Sequence, residues 1–131
     1  MSDKEWQTFF LTAVDILGEG SYGLAETQSW CSWTTFGRLT DDAGYWTAGL
    51  PRKKEILETY IADSGIWGQP FSYSQLAHVI IPCEFYWEKV AVDKEFICGY
   101  RQQDINTLSL ALKKLDIQHR ATDRVLELKV Y

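Results

Sequence analysis

The sequence predicts an α+β fold: a single domain, residues 1–131, in which a mainly antiparallel sheet packs with about three helices. Two patterns lead there. Apolar residues recur at spacings of three and four in three stretches, as on one face of a helix. Other stretches alternate, or gather aromatic, Thr and Val residues that suit a pleated surface. The two kinds of segment follow one another in mixed order, which argues against both a helical bundle and a doubly wound parallel sheet. At 131 residues the chain is long enough to bury roughly two-thirds of its unfolded surface, so it needs no disulfide or metal staple.

The first helix is expected over 3–17. Ser2-Asp3-Lys4-Glu5 is a capping box, with Ser2 as N-cap and Glu5 at the third helical position. Trp6, Phe9, Phe10, Ala13, Val14 and Leu17 form the apolar stripe, and Gly18 ends it. From Ser21 to Leu50 the chain reads as β-rich. Trp30 to Phe36 is an aromatic and Thr-rich strand, although Trp30 and Trp33 fall on opposite faces of a regular one, so a bulge or two buried faces are expected. Asp41-Asp42-Ala43-Gly44 is a turn, and Tyr45-Trp46-Thr47 starts the return strand.

Pro51 suits the first turn of a second helix over 51–63, with Ile56, Leu57, Tyr60 and Ile61 as its apolar face. His78 to Trp87 reads as one strand. Val79, Ile81, Cys83, Phe85 and Trp87 point one way; Ile80, Pro82, Glu84, Tyr86 and Glu88 point the other. Pro82 has no N–H, which marks an edge strand or a bulge. A short turn at Val92-Asp93-Lys94 leads to a partner strand, Glu95 to Tyr100. Asp104 caps a third helix over 104–115, whose stripe is Ile105, Leu108, Ala111, Leu112 and Leu115. Arg124 to Tyr131 alternates as a closing strand. Trp6, Phe10, Val14 and Leu17 are expected to pack with Leu108, Leu112, Leu126 and Leu128.

Charge and composition narrow the function. The formal charge is −5, with 18 Asp and Glu against 13 Lys and Arg and no basic run. That is a poor match for nucleic acid or an anionic membrane surface, and it permits a basic protein partner. The three cysteines are too few and too scattered for a disulfide framework. The polar N-terminus lacks a signal-peptide pattern, and no apolar run approaches membrane-spanning length, so a cytoplasmic location is expected.

The catalytic inventory is thin. The two histidines, His78 and His119, are 41 residues apart and nothing in the sequence brings them together. No Cys-x-x-Cys or His-x-x-x-His spacing offers a metal site, so neither a metal nor a cofactor is expected. Cys31, Cys83 and Cys98 read as small core side chains. Gly18-Glu19-Gly20-Ser21-Tyr22-Gly23 matches a dinucleotide-binding string, but it follows a helix and precedes a strand, the reverse of what that motif needs. The chain is therefore expected not to be an enzyme.

The residues that remain suit contact with a basic partner. Glu84, Tyr86 and Glu88 share one side of a strand, Asp93 and Glu95 lie by the following hairpin, and Asp41 and Asp42 are adjacent in a turn. Pro70-Phe71-Ser72-Tyr73, Glu84-Phe85-Tyr86-Trp87-Glu88, the Leu108–Leu115 helix and the closing Val125-Leu126-Glu127-Leu128-Lys129-Val130-Tyr131 resemble small bacterial immunity proteins of contact-dependent toxin systems. That resemblance implies a stable cytoplasmic protein that binds and neutralises a cognate toxin domain, such as a basic nuclease, by occlusion rather than chemistry. Two alternatives predict different architecture. A small-molecule-binding or sensory domain needs a deep apolar pocket between sheet and helices. A small enzyme needs His, Glu and Cys gathered in one cleft.

Overall fold

A computed structural model describes residues 1–63, 65–90 and 95–131. The chain forms α1 (Asp3–Leu17), β1 (Cys31–Thr35), β2 (Trp46–Ala48), β3 (Tyr60–Ile61), β4 (Phe71–Ser72), β5 (Leu76–Pro82), β6 (Glu84–Val90), β7 (Phe96–Gln102), α2 (Ile105–Lys114), β8 (Arg120–Ala121) and β9 (Val125–Lys129). Five strands make one antiparallel sheet in the order β2-β1-β5-β9-β8. β3 pairs with β4, and β6 with β7, as separate two-stranded sheets. The fold is α+β. Among the described residues no helix is long and apolar enough to cross a membrane.

Both helices begin where side chains can satisfy their first free N–H groups. Ser2 and Glu5 form the reciprocal capping box of α1, with bonds of 3.0 and 3.1 Å. Asp104 accepts from the Thr107 N–H at 3.0 Å to cap α2. Gly18 closes α1 at φ +99°, a conformation that costs glycine little.

One cluster of buried residues joins the helices to the large sheet. It includes Trp6, Phe10 and Val14 of α1, Leu108 and Leu112 of α2, and Val79, Ile81, Leu126 and Leu128 of the central strands. Leu17 is only partly buried at its margin. Aromatic rings dominate the interior. Trp33 stacks on Trp67 with centroids 3.8 Å apart, and Phe10 reaches both Trp67 and Tyr73. The Gly20 and Gly49 backbones meet beside this core. A Cβ on Gly20 would lie 2.4 Å from the Leu50 carbonyl oxygen and 2.7 Å from the Gly49 Cα, and backbone atoms cannot swing aside. Gly20→Ala is therefore expected to destabilise by about 1–3 kcal/mol, the usual cost of overpacking. A urea midpoint equal to wild type would show that the two backbones can part.

Three expectations need correction. Residues 51–63 are not a helix. A single 3-10 turn at Lys53–Glu55 is followed by extended backbone at Ile56, which bridges to Ile61, while the Leu57 N–H donates to the Tyr60 carbonyl. Ile56, Leu57, Tyr60 and Ile61 have the spacings of three and four that a helix face needs, but a tight reversal instead pairs Ile56 with Ile61, and the β-branched Ile56, Thr59 and Ile61 favour the extended form. Among the described residues the fold thus has two α-helices, not about three.

Residues 78–87 are not one strand. The chain breaks at Cys83, whose N–H donates to the Arg124 carbonyl and whose carbonyl accepts from the Gln103 N–H. Pro82 closes β5, which lies in the middle of its sheet rather than at an edge. The bulge expected near Trp33 does occur, between Thr34 and Thr35. Thirdly, Cys98 is not a core side chain but is exposed on β7. The turn expected at Val92-Asp93-Lys94 lies outside the described residues.

Candidate functional site

The β6–β7 ribbon has two faces of opposite character. Residues directly opposed in an antiparallel pair share a face. The register sets Glu84 against Gln102, Tyr86 against Tyr100, Glu88 against Cys98 and Val90 against Phe96. All eight of these residues are exposed. The intervening pairs, Phe85 with Arg101, Trp87 with Gly99 and Lys89 with Ile97, form the other face.

That inner face fastens the ribbon to the body. Phe85 is buried and stacks on Trp30 at 6.0 Å. Arg101 donates to the carbonyls of Ala25 and Thr27, and its guanidinium lies 4.9 Å from the Trp87 ring centre. Gly99 leaves room for that indole, because a Cβ there would come 3.1 Å from Trp87 Nε1. Lys89 pairs with Glu26 at 3.3 Å. At the base, the buried Gln103 amide accepts from the Trp30 N–H and donates to the carbonyls of Trp30 and Pro82, at 2.9–3.0 Å. A glutamine that satisfies three backbone groups fixes the ribbon's direction as it leaves the large sheet.

Among the described residues, the outer face makes no such bonds to the body of the domain. Tyr86, Tyr100, Phe96 and Val90 are 41%, 67%, 56% and 69% exposed, a concentration of apolar surface that an isolated surface residue does not create. The rings of Tyr86 and Tyr100 meet at 63° with centroids 5.6 Å apart. Gln102 donates to Glu84 at 2.8 Å, and the Tyr86 hydroxyl donates to Glu88 at 3.0 Å. The Cys98 thiol, partial desolvation and the Glu88 carboxylate together raise the Tyr86 phenol above its ordinary value, so it stays protonated and keeps donating. Both carboxylates are held in place by neutral donors, so their negative charge remains.

The structure places Glu84, Tyr86 and Glu88 on this one exposed stripe. Glu95 is exposed and immediately precedes β7, and Asp93 lies outside the described residues. Asp41 and Asp42 are elsewhere. They follow the far end of β1, whereas the ribbon is anchored at Trp30, just before its start. Asp41 is also engaged by Arg38 at 2.9 Å. Sequence reasoning missed Val90, Phe96 and Tyr100. The period-two pattern of 96, 98 and 100 carries the signal, but it becomes a surface only when paired in register with 84, 86 and 88.

The two histidines are engaged in separate hydrogen-bond networks, although Glu127, the partner of His78, lines one surface pocket with His119. His119 binds Ser109 Oγ at 2.7 Å and the Ile117 carbonyl at 2.9 Å, tying α2 to the following loop. His78 is on β5, between the Tyr45 hydroxyl at 2.7 Å from Nδ1 and Glu127 at 3.0 Å from Nε2. A carboxylate can only accept, so Nε2 carries a proton toward Glu127, and in the neutral tautomer Nδ1 is left to accept a hydrogen bond from the Tyr45 hydroxyl. Burial, and then the Tyr131 hydroxyl, raise the Tyr45 phenol, which opposes its use as a nucleophile. Burial likewise raises the Cys31 thiol. Among the described residues no group of three or more His, Cys, Asp or Glu could hold a metal. A groove of about 540 Å³ beside α2 is lined by Asn106, Ser109, Leu110, Lys113, Ala121, Thr122 and Asp123, a largely polar set at the surface.

The His78 hydrogen bond is the main cause that lowers the Glu127 pKa below 4.5, aided by the Arg120 guanidinium and, when the imidazole is protonated, by its charge. A depressed carboxylate stabilises the fold above its unfolded pKa, and that contribution is lost as pH falls through the folded value. Glu127→Gln should therefore cost stability at neutral pH and progressively less below about pH 4.5. Denaturation midpoints of the two proteins that stay equally far apart down to pH 2–3 would contradict this account. Comparisons with family models, with curated proteins and with solved structures find no match for this chain.

Proposed function

We propose that this chain is a non-catalytic inhibitor of the immunity class, which binds a cognate toxin domain of basic character through the outer face of the β6–β7 ribbon. The carrying observation is the segregation of the ribbon's two faces. Its described cations, Lys89 and Arg101, are spent on the inner face, while Glu84 and Glu88 remain charged among exposed aromatic and apolar side chains on the outer one. Rigid aromatics supply buried contact area at low entropic cost, and the carboxylates steer and orient a basic surface. An anionic face of this kind repels nucleic acid and acidic lipid headgroups, so the partner is a protein. The function needs no cofactor, and free cysteines fit a reducing cytoplasm.

The test is direct. The chain is co-expressed with the product of its neighbouring reading frame, and complex formation is measured by calorimetry beside growth protection in cells. A 1:1 complex that abolishes the partner's toxicity is expected. Absence of both binding and protection would remove the proposal.

A further inference from the structure

We infer that the ribbon's outer face receives an arginine side chain of the partner, with its guanidinium against the Tyr100 ring and between the carboxylates of Glu84 and Glu88. This rests on the partner-binding reading above and goes beyond it by naming the residue type recognised.

Three features of the outer face lead to arginine. Tyr100 is paired with Tyr86, so Glu84 and Glu88 are its two diagonal neighbours across the ribbon, about 7–8 Å away and within reach of a shared ligand. The ring is 67% exposed, and it forms a corner with Tyr86 rather than a closed stack, which leaves aromatic surface free for a cation. The carboxylates are oriented before any ligand arrives, Glu84 by Gln102 and Glu88 by Tyr86, and each is held through Oε2. These donors are neutral, so the site retains two negative charges to offset against one or more incoming cations.

A guanidinium fits this arrangement better than an ammonium. It is planar, so it can lie on a ring while its edge N–H groups reach carboxylates to either side. It is also less strongly hydrated, so stacking it on a half-exposed ring costs less. The same ribbon uses this contact on its inner face, where the Arg101 guanidinium lies over Trp87.

The test compares two capped pentapeptides, acetyl-Gly-Ser-Arg-Ser-Gly-amide and its lysine counterpart, titrated into the ¹⁵N-labelled full chain. The arginine peptide should shift the amides of 84–88 and 98–102 and bind about two- to fivefold more tightly than the lysine peptide. Tyr100→Leu keeps an apolar strand residue but removes the ring, and it should bring the two affinities together. Glu84→Gln with Glu88→Gln should weaken both peptides. Equal affinities for wild type, or shifts centred away from the ribbon, would overturn the inference. If the cognate partner loses binding on charge reversal of the ribbon yet the peptides show no arginine preference, the inference falls and the ribbon reading stands. If the peptides show the preference but charge reversal leaves partner binding intact, both fall.

Discussion

Phe10→Ala is expected to cost about 3–5 kcal/mol of folding stability, the range for deleting a fully buried aromatic side chain. Phe10 has 0% exposure and sits where α1 meets the loop and turn that follow β3. Its ring centroid lies 5.0 Å from Phe9, 5.9 Å from Trp6, 5.5 Å from Trp67 and 6.1 Å from Tyr73. Trp67 in turn stacks on Trp33 of β1, so Phe10 connects the N-terminal helix to the central sheet through one intermediate ring. Truncation removes both the transfer free energy of the ring and the contacts of its neighbours around the space left behind. Those neighbours are large planar groups held on different elements, which limits their collapse into that space. Urea denaturation checks the expectation, with the slope unchanged and the midpoint lowered. Phe36→Ala is the control, since Phe36 is 48% exposed and should lose far less. A cost for Phe10→Ala under about 1 kcal/mol would show that the aromatic cluster repacks without it.

Charge reversal on the ribbon should have the larger effect on function. Glu84→Lys combined with Glu88→Lys turns the outer face from two described negative charges to two positive ones, beside the same aromatic anchors. Against a basic partner, like charges brought together cost several kcal/mol, so the dissociation constant should rise by about two to three orders of magnitude. Part of the loss should appear in the association rate and vanish at high salt, because the carboxylates also steer the encounter. Tyr100→Leu should act differently, mainly by speeding dissociation. Both glutamates are exposed, so the double variant should fold as wild type does, and circular dichroism with thermal melting verifies this first. Unchanged affinity and growth protection would exclude the ribbon as the docking face.

The same residues show how much of this protein is legible in one sequence. Local signals were enough for α1 and α2. The Ser2–Glu5 capping box, the Asp104 cap and their apolar stripes act within a few residues, so neighbours in sequence contain the whole interaction. Alternation likewise gave β9, and it placed Glu84, Tyr86 and Glu88 on one side of a strand. The reading failed where the deciding contact comes from afar. Ile56, Tyr60 and Ile61 have spacing that suits a helix or a tight reversal, and the pairing of Ile61 with Phe71 selects the reversal. Pro82 signalled an irregularity beside Cys83, but not that the strand ends there and a separate ribbon begins. The break is set by Arg124 and by Gln103, each at least twenty residues away in the chain.

For the candidate site, the sequence by itself determined the chemistry of one strand face: two carboxylates and a phenol at a spacing of two. Only the tertiary structure decided that this strand leaves the large sheet, pairs with β7 in a register that adds Tyr100, Phe96 and Val90, and turns that combined face outward. The physical reason is that a strand's period fixes which side chains go together but not which side meets water. That choice was made by Phe85 on Trp30, by Arg101 on the carbonyls of Ala25 and Thr27, and by the Gln103 clamp, contacts that draw the other face of the ribbon onto the body.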